Sequence, residues 1–298
     1  MPTCGKFIIR PTGPYDINSS LAFHRRSRFE LVDRFDDRLF IRTFEFENRP
    51  VLINVATDKK PQSESLTINW SSPGKIKNLP ALRSFLSRMF YLDFDIRKFY
   101  SRLSDKEMKT VVRRFRGLRP ILTPTIFESA AWAIIGQQIN LQFAYKIKSN
   151  LIKHINRSFV HEGEKYYLFP QATDIVQLDF QTLKDLKFSR QKATYLLGLA
   201  RLICDGQLDL QSLFLMEYQA AIDTLMEIKG IGVWTANYIL MRGLGHHDAW
   251  PIGDSGINQA VRNLYGLNRK PDTEFLIELG EKWRPYRSLA ALYLWKSL

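Results

Sequence analysis

Two glycines in the last third of the sequence enclose a three-residue turn with the chemistry of a phosphate-binding site. Gly230, Ile231 and Gly232 follow an amphipathic segment and precede a second apolar segment that begins at Val233. Glycine permits a positive φ and leaves room for another backbone, so we expect both glycines to shape the turn. Amides at the start of the second helix would then offer unsatisfied donors and a favourable dipole to a phosphate oxygen. A plain corner between two helices fits the same pattern equally well.

The charge of the chain favours a polyanionic partner. Its 298 residues include 43 Lys and Arg against 30 Asp and Glu, a net charge of +13, and the pI is near 9.7. Such a surplus attracts nucleic acid and releases its counterions, although many basic proteins bind none. The basic run of Lys109, Arg113, Arg114, Arg116 and Arg119 fits either phosphate contacts or a solvated helix face.

Cysteine and histidine are too few for a thiolate metal centre. The two cysteines, Cys4 and Cys204, fall short of the roughly four that a cysteine-only zinc site or an iron-sulfur cluster needs. His246 and His247 have no partners at metal-ligand spacing. The cysteine usage, a start without a secretory signal and the lack of any run near the roughly 18 apolar residues of a membrane span predict a cytoplasmic protein without a membrane partner.

The elements that would position the turn change character along the chain. Short β-branched and aromatic runs predict strands at residues 7–10, 38–44, 51–55 and 66–70, with turns at residues 11–14 and at Asp36 and Asp37. Beyond residue 74, apolar residues recur three and four apart, which predicts helices. The expected helices lie at residues 82–89, 127–135, 141–155, 180–186, 190–204, 218–228, 233–244, 255–265 and 288–295. The helix at 127–135 is apolar almost all round and should be central. The fold class is therefore α+β, an antiparallel β-rich domain followed by a mostly helical region.

Several stretches around the turn together resemble the helix-hairpin-helix DNA glycosylases, specifically the alkylation-repair 3-methyladenine DNA glycosylase II type. These stretches are residues 234–238, 248–254, 283–288 and 293–295, with residues 127–145 and 192–206 further upstream. The resemblance covers the helical part nearly end to end. It implies an N-terminal domain over residues 1–105, a glycosylase region of two helical subdomains over 106–298, and a hairpin at about 225–241. It also implies a monomer that acts on damaged bases in double-stranded DNA, nucleoid-associated in a bacterium.

The resemblance implies that Asp254, 22 residues past Gly232, is the catalytic residue. A carboxylate beside the sugar stabilises the positive charge that develops there or activates a water. An alkylated purine is already cationic, so it can leave without the second carboxyl that glycosidases use. Asp254 also suits the N-cap before Ser255, a role that would orient the carboxylate. Asp248 is the competing carboxylate, and the resemblance gives it a structural role, securing its loop to the hairpin.

The resemblance further implies an aromatic pocket for the extruded base. Trp234, Tyr238 and Trp295 occupy its positions, and aromatic faces attract a cationic base by roughly 0.5 to 2 kcal/mol each. By periodicity alone, core packing is the stronger interpretation of these residues. Related strand-nicking glycosylases place a Schiff-base lysine at the position of Trp234, which predicts base removal only. Lys229 has no nucleophilic role in the motif.

Contacts to DNA and to a cation complete what the resemblance implies. DNA would be bound at Gly230, Ile231, Gly232 and Val233. Gln138 occupies the position of the side chain that fills the gap left by the base; the family example has leucine there, so Ile139 is the alternative. No cofactor is required and no iron-sulfur cluster is expected. A sodium or potassium ion could be held by the backbone carbonyls of Met226, Ile228 and Ile231.

Two other functions remain open from the sequence. A non-catalytic DNA-binding protein would keep only the hairpin, and Asp254 in register argues against it. A related glycosylase for oxidised bases is disfavoured by the absent hairpin lysine and the absent cysteine cluster. The lesion range does not follow from the sequence.

Overall fold

The N-terminal part of the protein is a five-stranded antiparallel sheet. The computed structural model describes residues 3–36, 38–57 and 65–298. The strands are β1 (Thr3–Ile9), β2 (Asp33–Asp36), β3 (Leu39–Phe46), β4 (Arg49–Ala56) and β5 (Leu66–Ser72), in the order β1-β5-β4-β3-β2. The four predicted strands are confirmed, while β2 was missed because its four residues are mostly charged. Of the predicted turns, residues 11–14 lie between elements, Asp36 ends β2, and Asp37 lies outside the described residues.

The sheet packs against α1 (Ile17–Leu21) and α2 (Leu79–Met89) around its own apolar core. Phe40, Val51 and Ile68 are fully buried in that core. Five consecutive residues of β3 are buried, which shows that this strand is covered on both faces. The sheet of the N-terminal domain is therefore buried on both faces at β3.

The remainder is mostly helical, as predicted. Its helices are α3 (Arg97–Arg102), α4 (Lys106–Arg114), α5 (Ile126–Gly136), α6 (Leu141–Ile155), α7 (Ala172–Ile175), α8 (Phe180–Asp185), α9 (Arg190–Cys204), α10 (Tyr218–Met226), α11 (Val233–Ile239), α12 (Ser255–Leu264), α13 (Thr273–Glu281) and α14 (Arg287–Ser297). The apolar helix α5 buries nine of its residues and is central, as its composition indicates. The segment predicted as one helix over 233–244 continues past α11 as a π-helical turn, Leu240–Leu244.

Helices α3, α4, α7 and α13 and one β-hairpin of the helical region were not predicted. Helices α3, α4 and α13 carry many charges, and a hairpin of β6 (Ser158–His161) and β7 (Glu164–Tyr167) projects after α6. The hairpin turn uses positive φ at Glu162 and Gly163. Strands of four residues give too short a pattern for alternation to be recognised.

The basic run from Lys109 to Arg119, in and just after α4, is only partly a surface feature. Arg119 is fully buried, and its guanidinium donates hydrogen bonds to the carbonyls of Thr12, Pro14, Tyr91 and Phe94 at 2.6 to 3.2 Å. The suggestion that Arg119 contacts phosphate or solvent is therefore wrong. Its five donors satisfy carbonyls that no sheet or helix supplies with partners.

A buried ionic network connects the sheet to the helical region. Arg42 of β3 pairs with both Asp33 of β2 and Glu128 of α5, and all three side chains are nearly inaccessible. Lys148 of α6 pairs with Glu30 at 2.7 Å. Buried charges are stable only when paired and hydrogen-bonded, so these contacts fix how α5 and α6 sit against the sheet.

Candidate active site

The carboxylate of Asp254 receives hydrogen bonds from three different helices. Asp254 is the N-cap of α12, where its Oδ1 accepts from the Ile257 amide at 2.9 Å. The Trp295 indole of α14 donates to the same oxygen at 2.8 Å, and the Trp234 indole of α11 donates to Oδ2 at 3.0 Å. The side chain is only half-buried. The three donors therefore orient a carboxylate that solvent, and hence a substrate, can reach.

Aromatic rings form a wall beside this carboxylate. Trp234 and Tyr238 stack with ring centroids 5.4 Å apart and an interplanar angle of 28°, and Tyr238 lies 6.3 Å from Trp295. All three are half-buried rather than part of the core. The structure thus brings together the three aromatic residues proposed from the resemblance, with faces against which a planar base could stack.

The glycine turn joins α10 to α11, but its two glycines act differently. Gly230 has φ +94°, and a Cβ there would meet the Tyr195 ring at 2.2 Å. Gly232 has φ −97°, and a Cβ there would meet nothing within 4 Å. Of the two glycines, only Gly230 therefore uses the positive φ that glycine permits. It lies exposed at the N-cap of α11 beside exposed Val233, with no side chain capping the first amides.

The loop between α5 and α6 is fixed to this turn. The Gln137 amide donates to the Gly230 carbonyl at 2.9 Å and to the Thr235 hydroxyl at 3.1 Å. The next residue, Gln138, has φ +54° and an exposed side chain. Ile139 is partly buried and packs on the core. Of the two side chains considered for filling the DNA stack, Gln138 is the one that projects outward.

Asp248 secures its loop at a different place from the one expected. Its carboxylate pairs with Arg287 at 2.8 Å and with Arg284 at 3.1 Å, at the start of α14. It therefore does not bind the hairpin directly, and the predicted partner is wrong. The link to the hairpin helix comes from buried Asn237, whose side chain accepts from the Trp250 amide at 2.8 Å and donates to the Val233 carbonyl at 2.9 Å.

Comparison with known families gives this geometry its context. The profile of the HhH-GPD superfamily of base excision DNA repair proteins matches residues 131–285, just over half of the chain, and that of the AlkA N-terminal domain matches residues 9–122. The chain belongs to the HhH-GPD superfamily. The hairpin and Asp254 both lie inside the matched region.

Individual relatives of this HhH-GPD protein cover most of its length. A DNA-3-methyladenine glycosylase of Bacillus subtilis is 33% identical over 95% of this chain and 94% of its own. The 3-methyladenine DNA glycosylase structure from Archaeoglobus fulgidus matches 97% of both chains with a TM-score of 0.84 at 24% identity, which shows a shared fold. A Schizosaccharomyces pombe 3-methyladenine DNA glycosylase, solved with abasic DNA, is 27% identical, with a TM-score of 0.58 over 67% of this chain and 95% of its own.

Several residues of the site were not singled out by the sequence. Gln137 and Asn237 position the loop and the helix, and Trp132 packs on Tyr145 with ring centroids 4.8 Å apart. Burial raises the pKa of Tyr145, and Tyr238 contributes a smaller rise. The sequence offered one signal for Gln137 and Asn237: each is a polar amide that follows or interrupts an apolar helix. Such a side chain needs a hydrogen-bond partner when it is buried.

The described part of the chain has no cluster of metal-ligating side chains. Over residues 3–36, 38–57 and 65–298, no three His, Cys, Asp or Glu side chains lie close enough to hold a metal ion. The same ranges contain no helix long and apolar enough to cross a membrane. His246 and His247 instead make loop contacts, with the Asp248 amide and the Tyr91 hydroxyl.

Proposed function

We propose that this protein is a monofunctional DNA glycosylase that flips an alkylated purine out of duplex DNA and hydrolyses its N-glycosidic bond, leaving an abasic site. The observation that carries the proposal is the Asp254 carboxylate, held by two indoles and one amide beside an aromatic wall. The similarity to DNA-3-methyladenine glycosylases supports the class of base.

The chemistry requires only one carboxylate when the base is alkylated. Bond cleavage builds positive charge on the sugar, and Asp254 opposes that charge or takes a proton from the attacking water. The departing purine is already cationic, so no acid needs to protonate it. The faces of Trp234, Tyr238 and Trp295 favour a cationic or electron-poor ring over a neutral one.

The absence of strand cleavage is supported by where the lysines near the site lie. Trp234 stands at the position where strand-nicking relatives carry their lysine, and its indole is bonded to Asp254. Lys229 lines a separate crevice between α8, α9 and the turn. Lys296 lies 5.4 Å from the Phe115 ring, toward α4. We therefore expect hydrolysis by water without a Schiff-base intermediate.

DNA would be held at the turn and the α5–α6 loop. The uncapped amides at Gly232 and Val233 suit a phosphate oxygen, and the exposed Gln138 suits the gap left by the flipped base. Such contacts need no second copy of the chain, so we propose that a monomer acts on double-stranded DNA.

A monovalent cation at the hairpin is part of the proposal. The Ile228 carbonyl accepts from the Ile231 amide at 2.9 Å, and within the described bonds the carbonyls of Met226 and Ile231 accept no backbone hydrogen bond. Backbone carbonyl oxygens are suitable ligands for such a cation. A higher melting temperature in sodium or potassium chloride than in choline chloride, at equal ionic strength, would support this site; equal values would contradict it.

The main experiment compares Asp254→Asn with Asp272→Asn. Both residues are N-caps, and Asp272 accepts from the Phe275 amide at 2.9 Å at the start of α13, so the pair separates capping from chemistry. Each variant is incubated with duplex DNA carrying 7-methylguanine or hypoxanthine, and free base and strand breaks are scored before and after alkali.

We expect wild type and Asp272→Asn to release base and to give breaks only after alkali. Asp254→Asn should slow base release by about 100- to 1000-fold, the size of effect seen when a charge-stabilising group is removed from an active site. Equal activity in Asp254→Asn would remove this residue from the mechanism. Breaks without alkali would overturn the monofunctional proposal.

A further inference from the structure

Residues 24–28 of the N-terminal domain form a short basic segment that the proposed mechanism does not use. Its sequence is His24, Arg25, Arg26, Ser27 and Arg28. It follows α1 and precedes β2, and all three arginines are exposed. A run of charged residues is usually a solvated surface, so its interest depends on how it is held.

The segment is anchored at its first residue and in its middle. His24 Nδ1 lies 2.6 Å from the Asp33 carboxylate. The Ser27 hydroxyl donates to the Gln142 side chain at 2.9 Å, and the Gln142 amide donates to the Arg26 carbonyl at 2.9 Å. Since Gln142 belongs to α6, this segment of the N-terminal domain is fixed to the helical region.

The end of the segment is fixed by Glu30. One oxygen of Glu30 accepts from the backbone amides of Leu31 and Val32 at 2.9 Å, and the other pairs with Lys148 of α6. The backbone that presents the arginines is therefore held at both ends, and little conformational entropy remains to be lost when a ligand binds.

Each arginine of the segment stacks on a phenylalanine, with 4.4 Å from Arg25 to the Phe35 ring centroid, 4.0 Å from Arg26 to Phe23 and 5.1 Å from Arg28 to Phe29. Among the residues the structure describes, none of the three guanidinium groups lies within 4 Å of a carboxylate. Arg25 differs only in donating to the Thr57 hydroxyl at 3.5 Å. Arg26 and Arg28 therefore keep the more available guanidinium donors.

The segment lies next to the elements expected to contact DNA. Gln142, which binds it, is the second residue of α6 and follows directly on the α5–α6 loop that carries Gln138. Desolvation lowers the pKa of Arg26, and the hydroxyls of Tyr145 and of Tyr238, a ring of the aromatic wall, oppose that shift. The Tyr145 hydroxyl donates to the Phe23 carbonyl at 3.4 Å.

We propose that Arg26 and Arg28 form a second phosphate-binding surface, on the N-terminal domain, that contacts duplex DNA beside the flipped base. The surface rests on the proposed function, since it needs DNA on the hairpin face. Two guanidinium groups without carboxylate partners, on a backbone already ordered, match the planar donor geometry that phosphates accept. Because Gln142 holds the segment at the end of the α5–α6 loop, a duplex that contacts Gln138 in this loop would lie beside the two arginines.

The test measures salt dependence of binding to undamaged duplex DNA by fluorescence anisotropy. Arg26→Ala and Arg28→Ala are compared with wild type from 50 to 300 mM KCl, with Lys153→Ala as the matched control. Lys153 is exposed on the same helix as Gln142, eleven residues further on, and so about 16 Å away. Melting temperatures verify that each variant is folded.

Each arginine variant should reduce the slope of log Kd against log salt by about 0.9 and weaken binding roughly three- to tenfold, because one phosphate contact is lost. Lys153→Ala should leave both unchanged. Unaltered slopes of log Kd against log salt in both arginine variants would overturn the proposal of a phosphate-binding surface. A slower single-turnover excision at saturating protein with an unaltered slope would overturn it too, since Arg26 would then act on the base.

Failure of this inference is separable from failure of the proposed function. Base release by wild type together with unaltered slopes would leave the glycosylase intact and remove the surface. No base release by wild type would contradict the glycosylase, while the slopes on undamaged DNA would still decide the phosphate contacts.

Discussion

The Trp295 indole donates a hydrogen bond of 2.8 Å to Oδ1 of Asp254, a residue 41 positions earlier in the chain. Trp234 does the same for the other oxygen. In the proposed mechanism each tryptophan therefore has two functions: its ring face stacks on the base, and its N–H fixes the carboxylate. The two functions can be separated by replacing the indole with a ring that lacks the N–H.

We expect Trp295→Phe to slow single-turnover base release by about 10- to 100-fold, because a hydrogen bond to a charged group is worth about 1.5 to 3 kcal/mol. Binding to the damaged duplex should change much less, since the aromatic face remains. Trp250→Phe is the control: the buried indole bonds the Leu276 carbonyl, so this change should lower the melting temperature without a selective effect on cleavage. Equal rates in Trp295→Phe and wild type would contradict the positioning role.

The two hairpin glycines should respond differently to a methyl group. Gly230→Ala places a Cβ against the Tyr195 ring and forces alanine to φ +94°, so we expect destabilisation of about 1 to 3 kcal/mol in urea unfolding. Gly232→Ala has an ordinary φ and open space, so it should fold normally yet bind duplex DNA more weakly by anisotropy. Normal stability in Gly230→Ala, or unchanged affinity in Gly232→Ala, would contradict these roles.

Gln137 and Gln138 are adjacent but should have separable effects. Gln137→Ala removes two hydrogen bonds to the hairpin, and at about 1 kcal/mol each we expect lower stability and weaker DNA binding. Gln138→Ala should leave the melting temperature unchanged, because the side chain is exposed. It should lower the rate of base flipping, followed with 2-aminopurine beside the lesion. A destabilised Gln138→Ala would show that the loop itself needs this side chain.

Arg42 should be essential for the docking of the sheet on α5. Arg42→Met leaves Asp33 and Glu128 buried without their cation, which typically costs about 3 to 5 kcal/mol. Burial raises the pKa of Asp33, but Arg42 and His24 together hold it well below its usual range in the wild type. Without Arg42 the Asp33 carboxylate can take up a proton, so the loss of stability should shrink as pH falls from 7 to 4.

The control for this prediction is Arg97→Met, which removes an exposed pair with Asp95 and should change stability little at any pH. Urea unfolding at pH 7 and pH 4 provides the comparison. A loss of stability in Arg42→Met that is small, or that grows toward acid pH, would contradict the network's role.

Lys192 should make stability depend on alkaline pH. Its side chain is 7% exposed and donates to the Ile135 carbonyl at 2.6 Å, and burial lowers its pKa to about 8 from 10.5. Between these values the unfolded chain binds the proton more tightly, so this residue's contribution to unfolding free energy rises with pH. The unfolding free energy of the wild type minus that of Lys192→Met should therefore rise from pH 8 to pH 10. Exposed Lys184→Met is the control and should show no such trend.

The sequence alone was sufficient wherever a pattern repeats within a few residues. Strands β3 and β4 follow from their β-branched and aromatic runs, and α5 and α9 from their apolar spacing. The glycine turn was also readable locally. These features depend on backbone preference and on one buried face, both of which a short window contains.

Only the tertiary structure decided which polar side chains are buried and which partners they bind. Arg119 looked like its basic neighbours but is buried among carbonyls from two distant segments, and Asp248 binds Arg287 rather than the hairpin. Likewise, the indoles of Trp234 and Trp295 meet at Asp254 from separate helices. A polar group is satisfied by whichever partner the packed chain brings within about 3 Å, and partners many residues apart leave no periodic trace in the sequence.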